Sequence, residues 1–226
     1  MQTEIIEDTL TTEPSDQLEV YNYFVSSVYT INKPEFLDIL KEVSRDKINK
    51  IPEDQRGYGL CHTDNLLDDE RTTQFAEYVG STAWNILKGQ GFFMDNKHVF
   101  FESMWCQEYK KNSYMPQHVH PNNGAQLVGF YFLETPKNCP RVIIHDPRPG
   151  KVQIGFDETN PNDVTNATSM VNFEPTPGML FFTNSWLPHS FTQNLSSKAF
   201  KFIHFNLGIR YAVENNSCEL PDAEVI

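Results

Sequence analysis

Three histidines of the chain occur at spacings that suit a metal site. His118 and His120 are separated only by Val119, and His189 lies much further along the chain. Two side chains one residue apart point to the same face of an extended strand. Pro121 follows the pair, and proline tends to end a strand because it has no backbone donor. Both imidazoles are therefore expected near a strand end, where they can turn toward one metal ion.

A metal ion bound by this pair needs a third ligand, and His189, after Trp186-Leu187-Pro188, is the candidate. Neutral imidazole binds iron, zinc, copper or nickel. Three protein ligands would leave the remaining coordination positions open for substrate and oxygen. The competing interpretation is that these histidines pack or hydrogen-bond within a β core. A same-face pair together with a distant histidine favours the metal site.

Length and composition limit the class of protein. The 226 residues fit one large β-rich domain, or at most two small ones. The formal net charge of −12 argues against general nucleic-acid binding, which depends on lysine and arginine. No apolar run approaches the ~20 residues that a membrane span needs. The four cysteines form no C-x-x-C pair, and the N-terminus carries acidic residues instead of a basic patch. A cytoplasmic location with free thiols is therefore expected, which is the host cytoplasm if the protein is viral.

The apolar pattern predicts how the chain is organised. Residues 1–17 are acidic and threonine-rich and are expected to be a flexible tail. A single domain is predicted over 18–212, followed by a C-terminal tail at 213–226. Apolar residues recur at helical spacing in two stretches, which predicts helices at about 34–48 and 69–88.

From residue 98 onward, the pattern changes from helix to strand. Turn clusters such as Asn122-Asn123-Gly124 and Pro175-Thr176-Pro177-Gly178 separate short β-branched and aromatic runs. Short strands at this spacing indicate a sandwich, barrel or jelly roll, with the two helices packed on one outer face. The candidate strands are 98–109, 114–120, 126–134, 141–145, 151–155, 169–173, 179–183, 188–194 and 199–210.

Seven short motifs follow one another in a fixed order over about residues 20–210. They are Met104-Trp105, His118-Val119-His120-Pro121, Gly129-Phe130-Tyr131-Phe132-Leu133, Asp146-Pro147-Arg148-Pro149, Pro175-Thr176-Pro177-Gly178, Ser185-Trp186-Leu187-Pro188-His189 and Phe205-Asn206. Through these motifs the chain resembles the 2-oxoglutarate- and iron(II)-dependent oxygenases, specifically a branch of bacteria and tailed phages with a His-x-His-Pro motif.

The resemblance implies a mainly β fold, a double-stranded β-helix (jelly roll) with supporting N-terminal α-helices, that holds Fe(II). It also implies 2-oxoglutarate and O2 as co-substrates of a dioxygenase, with release of succinate and CO2 and hydroxylation of an unreactive C–H bond. The prime substrate is not indicated; a small molecule or a protein side chain is expected. The alternative is a jelly-roll binding or structural module without catalysis, such as a phage assembly component. An iron dioxygenase that needs no 2-oxoglutarate is a further alternative.

The resemblance also assigns metal ligands. His118 and His189 match the first and the distal iron ligand, whereas His120 lies where the wider family has the carboxylate of His-x-Asp. Three arrangements are open: three histidines, two histidines with water, or a carboxylate from elsewhere, with Asp146 the candidate. We favour His120 as the third ligand. His204, on the last predicted strand, is expected either beside the ligands or as a buried structural histidine.

The resemblance leaves several candidates for the residue that anchors the co-substrate. The wider family uses an arginine or lysine near the start of the last strand, where a cation donates charge-assisted hydrogen bonds to a carboxylate. Phe200 occupies that position here, and Lys201 is the adjacent candidate. Arg148 and Arg141 are alternative anchors, and Tyr131 is a candidate hydrogen-bond donor to the co-substrate.

Overall fold

The computed structural model describes residues 3–6, 18–21, 27–56, 59–120, 124–153 and 155–211. The predicted C-terminal tail and most of the predicted N-terminal tail lie outside these residues, so the domain boundaries stay a prediction. Among the described residues, neither helix is long and apolar enough to cross a membrane.

Two antiparallel sheets, of six and four strands, form the body of the fold. The six-stranded sheet has the order β3-β10-β7-β12-β5-β4, the four-stranded sheet has the order β6-β11-β8-β9, and β1 pairs with β2 alone. The strands, in chain order, are β1 (Thr3–Ile6), β2 (Leu18–Tyr21), β3 (Val28–Asn32), β4 (Leu60–His62), β5 (Lys97–Tyr109), β6 (Met115–His118), β7 (Ala125–Glu134), β8 (Val142–His145), β9 (Met170–Phe173), β10 (Met179–Asn184), β11 (His189–Phe191) and β12 (Phe200–Tyr211).

Two helices support the large sheet from one side. They are α1 (Leu37–Lys50) and α2 (Thr73–Gly89), each preceded by a short 3-10 turn. Asp69 caps the 3-10 turn before α2, because its side chain accepts a hydrogen bond from the backbone N–H of Arg71. The predicted helices are therefore confirmed, with bounds shifted by a few residues.

The large sheet is buried on both faces, which creates two apolar cores. One core lies between the helices and the sheet and contains Ile203 and Phe205 of β12. The other lies between the two sheets and contains Phe200 and Phe202. This alternation along one strand follows from the two-residue period of β structure. The jelly-roll class predicted from the sequence is confirmed.

One predicted strand is wrong, and strands also form where the sequence predicted none: β4, and β1 within residues 1–17, which were expected to be a flexible tail. Lys151–Gln153 of the predicted strand 151–155 form a 3-10 turn, in which the Lys151 N–H donates to the Arg148 carbonyl at 3.0 Å. Pro147 and Pro149 just before it cannot donate to a ladder, which favours this local bond. Leu60–His62 lies outside the predicted strands but pairs with the end of β5, and three residues are too short for a periodic signal.

Candidate metal centre

The structure brings the three predicted histidines together. His118, at the end of β6, and His189, at the start of β11, are direct cross-strand partners. His120 follows β6, and its backbone N–H donates to the Ser185 carbonyl at 2.8 Å. One ligand atom from each of the three histidines lies within 4.8 Å of the others. This distance allows a single ion to contact all three rings.

Backbone carbonyls orient two of these rings. Nδ1 of His118 donates to the Pro116 carbonyl at 2.8 Å, and Nδ1 of His189 donates to the Leu187 carbonyl at 3.0 Å. A proton on Nδ1 leaves the lone pair on Nε2, which is the arrangement that metal-binding histidines use. The Nε2 atoms of His120 and His189 are buried without a hydrogen-bond partner. An unsatisfied buried polar atom costs about 1–3 kcal/mol, and a metal ion would satisfy both.

The electrostatics of the site keep the rings of His120 and His189 neutral. Burial, together with the nearby His118, lowers the pKa of His120 to about 4. Burial and the neighbouring histidines lower the pKa of His189 to about 3, against the opposing effect of the Leu187 carbonyl. Both rings therefore carry lone pairs near neutral pH, as metal binding requires. Neutral imidazole is a ligand that suits Fe(II).

His204 lies directly beside the three histidines. Its Nδ1 donates to the Gly129 carbonyl at 3.0 Å, and its ring centroid is 5.0 Å from that of His120. Phe130 stacks on one side of the ring at 4.9 Å, and Trp105 meets it edge-on at 4.4 Å. Burial lowers the pKa of His204 well below its usual value. The structure thus places His204 next to a candidate ligand, with its orientation held by the strand β7 carbonyl.

An aromatic cluster closes one side of the centre. Its members are at most 3% exposed, and Phe191 and Phe202 stack at 4.9 Å. This packing excludes water from that side of the histidines, and within it the Gln107 amide donates to the Tyr109 hydroxyl at 3.2 Å. The cluster consists of Tyr109, Phe130, Phe132, Phe191, Phe200 and Phe202.

Asp146, the alternative third ligand, is committed to an ion pair. The Arg148 guanidinium donates to both carboxylate oxygens, with Nη2 2.7 Å from Oδ2 and Nε 2.9 Å from Oδ1. Asp146 is not among the residues whose ligand atoms come together with those of the three histidines. The Arg148 side chain is 45% exposed and is held by this ion pair.

The other co-substrate candidates also lie apart from the histidines. Lys201 points to the helix side of β12, opposite to His204, and its Nζ lies 3.3 Å from Glu134 and 3.4 Å from Glu108. The Tyr131 hydroxyl donates to the Lys33 carbonyl at 2.7 Å, also on the helix side. The structure therefore does not support direct contact between either residue and a ligand at the histidines.

Arg141 likewise makes its contacts elsewhere. Its Nε donates to the Asn172 side chain at 2.6 Å, and its Nη2 lies 3.4 Å from Glu174. Its side chain is 44% exposed. For Lys201, the one-residue offset that separates the two faces of β12 explains why this cation, although next to the expected position in the sequence, faces away from His204.

Replacing Lys201 by alanine is expected to change the 2-oxoglutarate requirement by less than about twofold, because its ammonium is paired with two glutamates on the far face. The same change is expected to lower the free energy of unfolding by roughly 1–2 kcal/mol, since Glu108 and Glu134 lose their shared cation. A co-substrate titration and urea unfolding, with Lys198→Ala as the exposed control, measure both effects. A rise of tenfold or more in the requirement would restore Lys201 as the anchor.

Sequence reasoning gave no role to three polar groups on the histidine side of the large sheet. The Trp105 indole N–H, the Thr183 hydroxyl and the Asn206 side-chain oxygen are buried and have no hydrogen-bond partner. Two-residue alternation places Asn206 on one face with His204, whereas Trp105 reaches that face only through its cross-strand pairing with His204. No sequence signal distinguishes Thr183 from an ordinary strand threonine.

Comparison with known proteins agrees with this geometry. Residues 103–206, from β5 to β12, match the model of a family described as "Putative 2OG-Fe(II) oxygenase". This stretch contains all three histidines and His204. No curated protein matches the chain.

Several solved structures share the fold. A 2OG-Fe(II) oxygenase family oxidoreductase of Burkholderia pseudomallei is 12% identical, with a TM-score of 0.51 over 80% of this chain and 84% of that one. A Pseudomonas putida prolyl-4-hydroxylase is 10% identical, with a TM-score of 0.54 over 81% and 92%. The viral collagen prolyl hydroxylase of Paramecium Bursaria Chlorella virus-1, solved with 2OG, is 11% identical, with a TM-score of 0.50 over 83% and 96%. At these identities the likeness shows the fold alone.

Proposed function

We propose that this chain, whose residues 103–206 form a 2OG-Fe(II) oxygenase domain, oxidises an organic substrate at an iron ion held by His118, His120 and His189. The family predicted from the motifs is confirmed, whereas the His-x-His-Pro branch stays a prediction. The single observation that carries the site is the convergence of three rings with two buried Nε2 atoms that lack a partner.

The residues of the chain have separate tasks in this proposal. The three histidines bind the ion, and the carbonyls of Pro116 and Leu187 hold two of the rings with Nε2 toward it. The aromatic cluster keeps water from that side of the centre. Bound iron and 2-oxoglutarate would supply the oxidation of a C–H bond, with succinate and CO2 as by-products. The two similar structures named as prolyl hydroxylases support hydroxylation as the reaction type.

The direct test is to supply Fe(II), 2-oxoglutarate and O2 to the purified chain and to measure succinate. Release of succinate that depends on the metal and is lost in His189→Ala supports the proposal. Stoichiometric iron binding without succinate would contradict the use of 2-oxoglutarate. The placement of Lys201, Arg148 and Arg141 would then explain that result, since each pairs with a carboxylate away from the histidines.

Replacing His120 separates the three possible ligand sets. His120→Ala is expected to weaken iron binding by at least about 100-fold, because the loss of groups that merely orient a ligand already costs roughly 10–100-fold. His120→Asp is expected to keep much of the affinity, since a carboxylate also binds iron at that position. Iron titration by absorbance or calorimetry measures both. Wild-type affinity in His120→Ala would show that water or another residue completes the site.

A further inference from the structure

A row of polar side chains crosses the large sheet next to the histidines. Thr183 of β10 and Asn206 of β12 both pair with Val128 of β7, which lies between them. Asn206 pairs in turn with Ser103 of β5. We call Thr183, Asn206 and Ser103, together with the neighbouring Trp105, the polar row. All four lie on the face of the sheet that His204 also occupies.

The polar row has fewer hydrogen bonds than its burial requires. Thr183 is fully buried, and its hydroxyl has no partner. The Asn206 Nδ2 donates to the Ser103 hydroxyl at 3.1 Å, but its Oδ1 is buried without a donor. The indole N–H of Trp105 is buried without an acceptor. Because buried polar groups are nearly always hydrogen-bonded, three unsatisfied atoms on one face of the sheet indicate a missing ligand.

The polar row is adjacent to the candidate metal centre. Trp105 contacts His204, with ring centroids 4.4 Å apart, and His204 is 5.0 Å from His120. On the other side, the backbone of His120 is bonded to Ser185, two residues after Thr183. A ligand that reached the polar row would therefore lie beside the ion.

The chemistry of the polar row selects an uncharged partner. An indole N–H donates, an amide oxygen accepts, and a hydroxyl does both. An amide or hydroxyl group both donates and accepts and so matches this set, whereas a carboxylate only accepts and an ammonium only donates.

We propose that the polar row binds an uncharged amide or hydroxyl group of the prime substrate and so positions it at the histidine centre. This proposal rests on the proposed oxygenase function, because it names the substrate class of that site. Thr183 and Asn206 are then binding residues whose hydrogen bonds are completed only when substrate is present.

The test uses the full chain loaded with Mn(II), whose unpaired electrons relax the protons of any probe bound nearby. The probes are cyclopentanecarboxamide and its isostere cyclopentyl methyl ketone, which is uncharged but cannot donate. We expect saturable relaxation of the amide, at least about fivefold stronger than that of the ketone, as the loss of one hydrogen bond implies. Equal relaxation of both probes would overturn the proposal.

Variants of Thr183 show whether its hydroxyl serves binding or structure. Thr183→Val is expected to reduce amide relaxation at least about fivefold, with unchanged Mn(II) affinity and an equal or higher melting temperature, because it removes an unsatisfied buried hydroxyl. Thr183→Ser should retain most of the relaxation, and the exposed Thr30→Val serves as control. Wild-type relaxation in Thr183→Val, or a clearly lower melting temperature, would contradict the proposal.

A second readout does not depend on the metal. Addition of the amide probe to the metal-free chain should shift the indole N–H resonance of Trp105, which is identified by its loss in Trp105→Phe. If the wild type fails to bind Mn(II), the oxygenase proposal fails. The indole resonance then still shows whether the polar row binds the amide probe. An indole signal unchanged at saturating amide would overturn the proposal independently.

Discussion

His189→Ala is expected to remove iron binding, and His118→Ala is expected to do the same. The two rings face each other across the β6–β11 pair, and carbonyl hydrogen bonds turn both Nε2 atoms toward the same point. Loss of either ring leaves two imidazoles, which bind a divalent ion far more weakly than three do. Because changes in groups that only orient ligands already cost roughly 10–100-fold in metal affinity, the loss of a ligand is expected to exceed that range.

The measurement is iron per chain after anaerobic loading and desalting, together with circular dichroism to establish that the variants are folded. His98→Ala is the matched control, since His98 is an exposed histidine of β5. We expect stoichiometric iron in the wild type and in His98→Ala and almost none in the two ligand variants. Equal iron content in His189→Ala and the wild type would exclude His189 as a ligand.

Gly129→Ala is expected to destabilise the protein by about 1–3 kcal/mol, because it overfills a packed sheet. A Cβ at this central position of β7 would overlap the Phe205 ring and lie 2.6 Å from the Phe181 carbonyl oxygen. Neither group can withdraw easily, since Phe205 is fully buried and the carbonyl belongs to the adjacent strand. The Gly129 carbonyl also holds His204, so the shift would reach the metal centre.

Thermal unfolding of the metal-free protein measures this effect. Since 1 kcal/mol corresponds to roughly 2–4 °C for a domain of this size, the melting temperature should fall by several degrees. Gly150→Ala is the control, because a Cβ there would meet no atom within 4 Å. A Gly129→Ala variant as stable as Gly150→Ala would show that β7 and β10 can separate without penalty.

The amino-acid sequence by itself determined the local structure and the type of site. Helical spacing of Leu40, Val43, Phe75 and Val79 predicted the two helices, and the two-residue period predicted most strands. The spacing of His118 and His120 predicted a same-face pair. These properties depend on residues close together in the chain, so local chemistry is sufficient to predict them.

Only the tertiary structure decided which distant groups meet. The register of β6 against β11 places His118 opposite His189. The register of β12 against β5 and β7 brings His204 near His120 and turns Lys201 toward Glu108 and Glu134. Whether Thr183 finds a hydrogen-bond partner depends likewise on what packs above it. A shift of one residue in the pairing exchanges the two faces of a strand. The pairing register depends on packing between strands that are far apart in the sequence, so no local sequence pattern encodes it.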